Sequence, residues 1–139
     1  MNLITYEEFK KTDEYEQFIK ENPDKGSLKI QAFTAHQAIP IENAEIIITQ
    51  DIGNNKVLFF KGYTDSSGII DNIELPAPIG TVDLKAQEIP KYTSYNLTAI
   101  HEGYESIKKY DIAMFGNVKI IQYVKMRPEI ESIGDINAN

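Results

Sequence analysis

His36 and His101 are the two histidines of the chain and its first candidates for acid–base or metal chemistry. A zinc peptidase site needs a His-x-x-Glu pair and a third ligand, and neither histidine is followed by a glutamate three residues on. A nucleophilic triad needs a histidine that an acid orients, and the sequence around these two shows no such arrangement. We therefore expect no catalytic residue, no cofactor and no enzymatic activity.

A second candidate for chemistry is an oxygen-rich segment in which Asp65, Ser67 and Asp71 could begin a calcium site. Calcium takes about six to eight oxygen ligands, so these three residues would need further oxygen ligands from distant parts of the chain. The segment 64–68 also has turn chemistry, because Asp65 can accept hydrogen bonds from backbone N–H groups and Gly68 can take a positive φ. We predict a structural turn and no metal site.

Lys29 raises the question of a Lys–Asn isopeptide bond, which requires a buried lysine, an asparagine and a catalytic acid. Leu28 and Ile30 flank this lysine in a segment where apolar and polar residues alternate. The apolar residues of such a strand face the core and the residues between them face solvent. We therefore expect Lys29 to be exposed and no isopeptide bond to form.

The charge balance narrows the range of partners. The 139 residues include 14 lysine and arginine residues and 21 acidic residues, a net charge of −7, and Arg127 is the single arginine. Nucleic-acid binders usually carry a basic stripe with forked arginine contacts, so we expect no nucleic-acid partner and interpret the acidity as a contribution to solubility. The absence of cysteine excludes disulfides and thiolate metal sites.

The sequence shows no targeting pattern. Its first residues lack a basic region followed by an apolar run, so we expect no secretory signal and a chain that is made and retained in the cytoplasm. A spore or an assembled structure is the alternative location. No stretch approaches the roughly 20 apolar residues that a membrane helix needs, so membrane insertion is not expected.

Residues 1–25 predict a helical N-terminal extension. Thr5 and Glu8 have the spacing of a capping box, in which the threonine side chain accepts from the backbone of the glutamate and the glutamate side chain reaches back. Asp13 and Glu16 repeat this spacing, which leaves open one helix or two short ones. A proline and a glycine end the segment.

From Ser27 onward the apolar period changes from about 3.6 to 2, which predicts strands. Seven short strands separated by turn residues predict an all-β fold, a seven-stranded Greek-key β-sandwich at residues 26–128. The stretch 76–91 is predicted as its one long loop, and residues 129–139 as a flexible tail. The predicted core consists of the inward-facing strand residues Leu28, Ile30, Ala32, Ala44, Ile46, Ile48, Leu58, Phe60, Ile73, Leu75, Leu97 and Ala99.

Short motifs follow one another in a characteristic order within residues 26–128. They are Pro40-Ile41-x-x-Ala44-x-Ile46, Thr64-Asp65-x-x-Gly68, Leu75-Pro76, Tyr95-x-Leu97, Gly103-Tyr104, and Gln122 with Met126-x-Pro128. In order and spacing they resemble the carboxypeptidase regulatory-like domain, a transthyretin-like seven-stranded sandwich. They are most similar to the accessory domain of spore cortex-lytic enzyme precursors of spore-forming bacteria. No hydrolase or peptidoglycan-binding repeat follows Pro128 here, so the resemblance does not imply a lytic activity.

The expected function is a non-catalytic binding or assembly module that recognises a protein partner or associates with itself, in a spore, a cell envelope or a larger structure. The resemblance leaves a second function open, an accessory or regulatory partner of a peptidoglycan (spore cortex) hydrolase. A carbohydrate-binding module is the third. The chain has no tryptophan, but Tyr63, Tyr92, Tyr95 and Tyr104 could stack on sugars.

Six apolar residues form the candidate interaction surface. Two of them fall on the outer sides of the first two predicted strands, where alternation points them away from the core. The others lie in the N-terminal segment, and a helix this short is marginal in water unless it docks. We predict that the helical segment covers a sandwich surface, its own or a neighbour's, through Phe9, Tyr15, Phe18, Ile19, Phe33 and Ile47.

Overall fold

The computed structural model describes residues 1–80 and 90–129, and within these ranges the chain forms eight strands and two short helices. In chain order the elements are β1 (Asn2–Thr5), α1 (Tyr6–Phe9), α2 (Glu14–Glu21), β2 (Asp24–Thr34), β3 (Glu45–Ile52), β4 (Asn55–Tyr63), β5 (Ile69–Ala77), β6 (Thr93–Ile100), β7 (Ile107–Met114) and β8 (Lys119–Met126). A five-stranded sheet has the order β1-β4-β3-β6-β7, and a three-stranded sheet has the order β5-β2-β8. The two sheets make an all-β sandwich, as predicted.

The hydrophobic core lies between the two sheets. Alternate side chains of a strand point to the same face, so Leu28 and Ile30 of β2 meet Ile46 and Ile48 of β3 in one buried cluster. Ten of the twelve predicted core residues are buried. The exceptions are Leu58 and Phe60, which are half-buried.

The prediction that Leu58 is a core residue is wrong because β3 and β4 do not pair regularly. Ile48 pairs with Phe60, whereas Thr49 pairs with Leu58, so Phe59 is the extra residue of a β-bulge. A bulge shifts the alternation of the strand by one residue. The valine that precedes Leu58 is therefore the fully buried one, at 0% exposure.

The N-terminal segment is partly strand, which corrects the predicted helical extension. β1 pairs in parallel with β4 and places Thr5 opposite Leu58. The predicted capping box is confirmed: Thr5 Oγ1 accepts from the N–H of Glu8 at 3.1 Å, and Glu8 Oε1 accepts from the N–H of Thr5 at 3.0 Å. Asp13 makes no side-chain capping bond, and the chain forms two short helices. Neither helix in the described ranges has the length and apolarity needed to cross a membrane.

The strand count and the boundaries also differ from the prediction. The seven predicted strands correspond in order to β2–β8, and β1 is an additional strand in the described ranges. β2 begins at Asp24, so the predicted boundary between residues 25 and 26 falls inside a strand. The predicted loop 76–91 begins within β5, and its residues 81–89 lie outside the described residues. The predicted tail, from residue 130 on, lies outside them as well.

Candidate interaction surface

Both helices pack against the five-stranded sheet through an aromatic cluster. Phe9 and Phe18 are 0% and 5% exposed, and their rings meet edge to face with centroids 5.4 Å apart. Tyr15 packs edge to face on Phe9 at 5.7 Å, and Phe59 of β4 lies 5.7 Å from Phe18. The buried Val57 completes the cluster. The five-stranded sheet is wider than its partner sheet, and the helices cover β4. The helical segment therefore docks on its own domain.

The six residues predicted as one interaction surface lie in separate places. The three helical aromatic residues are inside the cluster, and Ile19 is half-buried on α2. Phe33 is on the outer side of the three-stranded sheet, because the buried residues of β2 are the alternate ones. Ile47 is on the outer side of the five-stranded sheet, between Lys61 and Thr98 of the neighbouring strands. The six residues therefore do not form a single surface.

The outer side of the three-stranded sheet combines exposed apolar and basic side chains. β2 and β8 run parallel, and their register places Lys29 beside Ile121, Gln31 beside Tyr123, and Phe33 beside Lys125. Ile121 and Tyr123 are 49% and 54% exposed, and the ring of Phe33 packs edge to face on Tyr123 at 6.1 Å. We call this surface the β2–β8 face and define it by the outward residues of the two strands, together with Arg127, which follows the end of β8 at the next alternate position. They are Lys25, Lys29, Phe33, Lys119, Ile121, Tyr123, Lys125 and Arg127.

Two carboxylates of β5 border the β2–β8 face, and each pairs with one of its lysines. Lys119 Nζ donates to Asp71 Oδ1 at 2.9 Å, and Lys25 Nζ lies 3.5 Å from Glu74 Oε2. The hydrogen bond from Lys119, together with one from the backbone N–H of Asn72, holds the pKa of Asp71 below its ordinary value. These carboxylates therefore balance two of the five cations.

The remaining cations leave the face basic. Among residues 1–80 and 90–129, no carboxylate lies within ion-pair distance of Lys125 or Arg127. Lys29 adds a further positive charge near Asp71. The face thus carries an excess of positive charge, although the chain as a whole has a net charge of −7.

Of the residues that define this face, the sequence analysis placed only Phe33 in the candidate interaction surface, and it predicted Lys29 to point toward solvent. The alternation in the last predicted strand contained a signal for Ile121 and Tyr123, since both point away from the buried Val124 and Met126. No short sequence pattern predicts that these cations share a face, because their proximity depends on the parallel pairing of two strands that are far apart in the sequence.

The motif residues around the turn 64–68 hold the backbone together. The hydroxyl of Thr64 donates to the Ile41 carbonyl at 2.6 Å and accepts from the Ala44 N–H at 2.8 Å. Asp65 Oδ1 accepts from two backbone N–H groups of the turn, both at 2.9 Å, and Gly68 has a φ of +75°. The predicted structural roles of Asp65 and Gly68 are confirmed. No group of three His, Cys, Asp or Glu side chains that could hold a metal occurs in the part of the chain that the structure describes.

His101 bridges two loops through its ring. Nδ1 lies 2.7 Å from the carbonyl oxygen of Glu102, and Nε2 lies 2.9 Å from the carbonyl oxygen of Glu42. The ring also meets Tyr104 edge to face at 5.3 Å. Both ring nitrogens therefore face backbone carbonyls, and the ring connects the turn after β6 to the loop before β3.

The tyrosines expected to stack on sugars do not form a common platform. Tyr95 is 1% exposed, and its hydroxyl donates to the Pro76 carbonyl at 2.6 Å. Tyr104 is half-buried. Tyr63 and Tyr92 are 58% and 53% exposed, but they lie at opposite ends of the five-stranded sheet. A flat aromatic surface for a sugar ring is therefore not assembled from these four residues.

The comparisons with known proteins concern the fold alone. No family model matches the sequence, and a search of curated proteins finds no significant match. The chain is similar to part of a solved structure described as the Bacillus anthracis TIE protein, with a TM-score of 0.51 and 18% sequence identity. That likeness covers 76% of this chain and 17% of the other.

A second solved structure, 3-chlorocatechol 1,2-dioxygenase from Rhodococcus opacus 1CP, has a TM-score of 0.47 and 9% sequence identity. It covers 76% of this chain and 60% of the other. The chain thus spans less than two thirds of either structure, and the first likeness agrees with a β-rich fold.

Proposed function

We propose that this chain is a non-catalytic binding or assembly module and that the β2–β8 face is its contact surface. The observation that carries the proposal is the exposure of Ile121 and Tyr123, two residues apart on the outer side of β8, with the cations Lys125 and Arg127 at the next alternate positions. Exposed apolar residues surrounded by polar ones are typical of protein interaction sites, and aromatic and arginine side chains are enriched there.

The other candidate residues support this proposal because the fold already uses them. Phe9 and Phe18 are buried against the sheet. Asp65 organises its own turn, and His101 bridges two loops through backbone carbonyls. The β2–β8 face differs from these groups because two of its apolar side chains, Ile121 and Tyr123, remain exposed to solvent.

We further propose that the sandwich is of the carboxypeptidase regulatory-like, transthyretin-like type with Greek-key connections. The burial of the motif residues Ile41, Ala44 and Ile46 supports this, as does the hydrogen-bonded turn at Thr64. On this proposal the module would act in a spore or cell envelope. An accessory or regulatory role beside a peptidoglycan (spore cortex) hydrolase is the alternative function, and a carbohydrate-binding role is disfavoured by the placement of the tyrosines.

The proposal is tested with a double variant of the face, Ile121→Ser with Tyr123→Ser. Two probes represent a protein partner: the chain itself, followed by sedimentation velocity, and poly-L-glutamate, followed by titration calorimetry at low salt. We expect the wild-type chain to bind at least one probe and the variant to bind at least tenfold more weakly. Tenfold in affinity corresponds to about 1.4 kcal/mol.

The matched control is Leu3→Ser with Ile100→Ser, since these residues are 66% and 41% exposed and belong to the five-stranded sheet. The control should bind as the wild type does. Binding of neither probe, or equal losses in both variants, would contradict the proposal. Cosedimentation of the wild-type chain with purified spore-cortex peptidoglycan would favour the alternative function.

A further inference from the structure

Within the described ranges the two sheets have four edge strands, and three of them carry features that hinder pairing with a further strand. β1 has only four residues. β5 contains Pro76, which has no N–H group to donate, and Asn72 in its interior has a φ of +56°. β7 has a register shift against β6, and its Asp111 has a φ of +65°. Short length, prolines and irregular pairing are common means by which proteins protect sheet edges.

β8 is the fourth edge strand, and it is regular along its whole length. Its residues, Lys119–Met126, pair with β2 in one unbroken register. The carbonyl groups of Val118 and Met126 accept hydrogen bonds from the β2 side, from the N–H groups of Ser27 and Ala35, both at 3.0 Å. Because the N–H and C=O groups of successive strand residues point to alternate sides, the even-numbered residues of β8 face β2. The backbone groups of residues 119, 121, 123 and 125 therefore point away from it.

The outward side of β8 is open between Lys119 and Lys125. It ends at Arg127, whose carbonyl accepts from the N–H of Glu105 at 2.8 Å. Within the open stretch the carbonyl of Tyr123 accepts from the side-chain amide of the preceding glutamine at 2.9 Å, so a side chain satisfies a group that a neighbouring strand would satisfy in a wider sheet. In the part of the chain that the structure describes, no strand pairs with this side of β8. The stretch is therefore a template for a further strand.

Unbalanced cations line the space beside the open stretch. Lys125 has no carboxylate within ion-pair distance among the described residues, whereas Lys119 is balanced by Asp71. Lys109 of β7 lies opposite Leu97, which is 1% exposed. Directly opposed residues of paired strands share a face, so Lys109 points to the side of the smaller sheet. It is nevertheless exposed, since no strand in the described ranges lies beyond β8 to cover it. A strand added to β8 would thus meet positive charge on both of its faces.

We propose that β8 accepts an acidic, extended segment of a partner protein as an additional strand. This inference rests on the proposed function and names the kind of partner. The outward backbone groups of Ile121 and Tyr123 pair with the added strand, whose apolar side chains pack beside these two residues and whose carboxylates meet Lys109 and Lys125. In complexes of this kind, main-chain hydrogen bonds provide affinity and side chains provide specificity.

The lysines of β8 also disfavour a second copy of the same strand as the partner. Two antiparallel β8 strands paired about Gln122 would place Lys119 of each copy opposite Lys125 of the other. Like charges directly opposite one another destabilise strand pairing. An acidic strand replaces this repulsion with attraction, so the charges of the edge select the partner.

The experiment uses a short, labelled peptide of alternating glutamate and valine residues as the probe. Its binding to the full chain is followed by fluorescence anisotropy at about 20 mM salt, where exposed charges are weakly screened. We expect the wild type to bind this peptide. The same peptide methylated at every backbone nitrogen should bind at least tenfold more weakly, because methylation removes the N–H groups but leaves the charge unchanged. A peptide of alternating lysine and valine residues should also bind at least tenfold more weakly.

Two pairs of protein variants test the edge and its charge. Ile121→Pro removes an outward N–H group, a change that an edge strand tolerates, and Ile121→Ser removes the same apolar side chain but keeps the N–H group. The proline variant should bind the peptide at least tenfold more weakly than the serine variant. Lys109→Glu with Lys125→Glu should weaken binding at least tenfold, whereas the matched control Lys11→Glu with Lys56→Glu, which changes exposed lysines beside α1 and on β4, should not. Melting temperatures show whether each variant is folded.

The outcomes separate this inference from the proposed function. Equal binding of the methylated and unmethylated peptides to the wild type would overturn strand addition, whatever the variants do. If Ile121→Ser with Tyr123→Ser then lost both peptides, the β2–β8 face would remain the contact surface. A wild type that binds poly-L-glutamate but not the alternating peptide would likewise overturn strand addition alone. Self-association of the wild type that Ile121→Pro abolishes would assign the edge to a second copy and overturn the acidic partner.

Discussion

Phe59 and Tyr95 meet edge to face with ring centroids 5.1 Å apart, and this contact joins the helical cluster to the core between the sheets. Phe59 is the extra residue of the bulge in β4, and its ring also lies 4.9 Å from Tyr6 of α1. A bulge re-aims a side chain that regular pleating would place elsewhere. One irregular residue thus couples the N-terminal segment to the sandwich.

Truncation of the Phe59 side chain tests whether it couples the helical cluster to the core between the sheets. Phe59→Ala is expected to lower the free energy of unfolding by about 3 kcal/mol, the lower end of the range for such substitutions, because the side chain is half-buried. Urea denaturation measures the loss. Phe59→Leu keeps most of the volume and should lose less than about 1.5 kcal/mol. Equal losses in the two variants, or a loss below about 0.5 kcal/mol in Phe59→Ala, would show that the contact does not couple the two parts.

Removal of the N-terminal segment tests docking on the same domain. Deletion of residues 1–21 removes Phe9 and Phe18 and exposes Val57. Each fully buried large apolar side chain contributes about 1.5–3 kcal/mol, so we expect a loss of at least about 3 kcal/mol and increased binding of a hydrophobic dye. Thermal unfolding measures the first effect and dye fluorescence the second. Leu3→Ser is the control within the same segment, since this residue is 66% exposed. A deletion that leaves the melting temperature unchanged would argue against docking in cis.

The parts of the fold that could be predicted from the sequence are those with local causes. Alternation in β2 and β3 correctly indicates Leu28, Ile30, Ile46 and Ile48 as core residues, because a strand repeats every two residues. The capping box and the turn at Asp65 also depend on residues only a few positions apart.

The parts that could not be predicted depend on pairing between distant segments. β1 has four residues, too few to show an alternation, and it is held by β4. The bulge at Phe59 is visible only in the register of β4 against β3. The candidate surface has the same limitation, since Lys29 and Lys125 share a face only because β2 and β8 are parallel neighbours.

Two glycines with positive φ, one in each of two turn motifs, allow the cost of an added Cβ to be compared. Gly68 and Gly103 have φ values of +75° and +85°. A Cβ at Gly68 would overlap the backbone oxygen of Ala32, whereas one at Gly103 would meet nothing within 4 Å. Gly103→Ala should therefore cost about 1–2 kcal/mol, the strain of an L-residue in this conformation. Gly68→Ala should cost clearly more in urea denaturation. Equal losses at the two positions would show that the backbone around Gly68 accommodates the added Cβ without a further cost from its overlap with Ala32.

The last prediction concerns alkaline pH. Burial, with the nearby Tyr15 and Glu7, raises the pKa of Tyr6 from an ordinary value of 10.0 to about 12. Because the protonated phenol is favoured in the folded state, its contribution to stability is complete below pH 10 and is lost as the pH rises toward 12. Tyr95 acts in the same direction, since burial raises its pKa as well.

Tyr6→Phe separates the contribution of Tyr6 from that of Tyr95, which is present in both proteins. Tyr6 is partly exposed, so solvent screening reduces the effect, and we expect a difference of about 1 kcal/mol. Urea unfolding of both proteins at pH 8, 10, 11 and 12 measures it. The stability of Tyr6→Phe relative to the wild type should increase across this range, because phenylalanine has no proton to lose. A relative stability that stays constant from pH 8 to pH 12 would mean that Tyr6 ionises as easily in the folded chain as in the unfolded one, and that the aromatic cluster does not shield it.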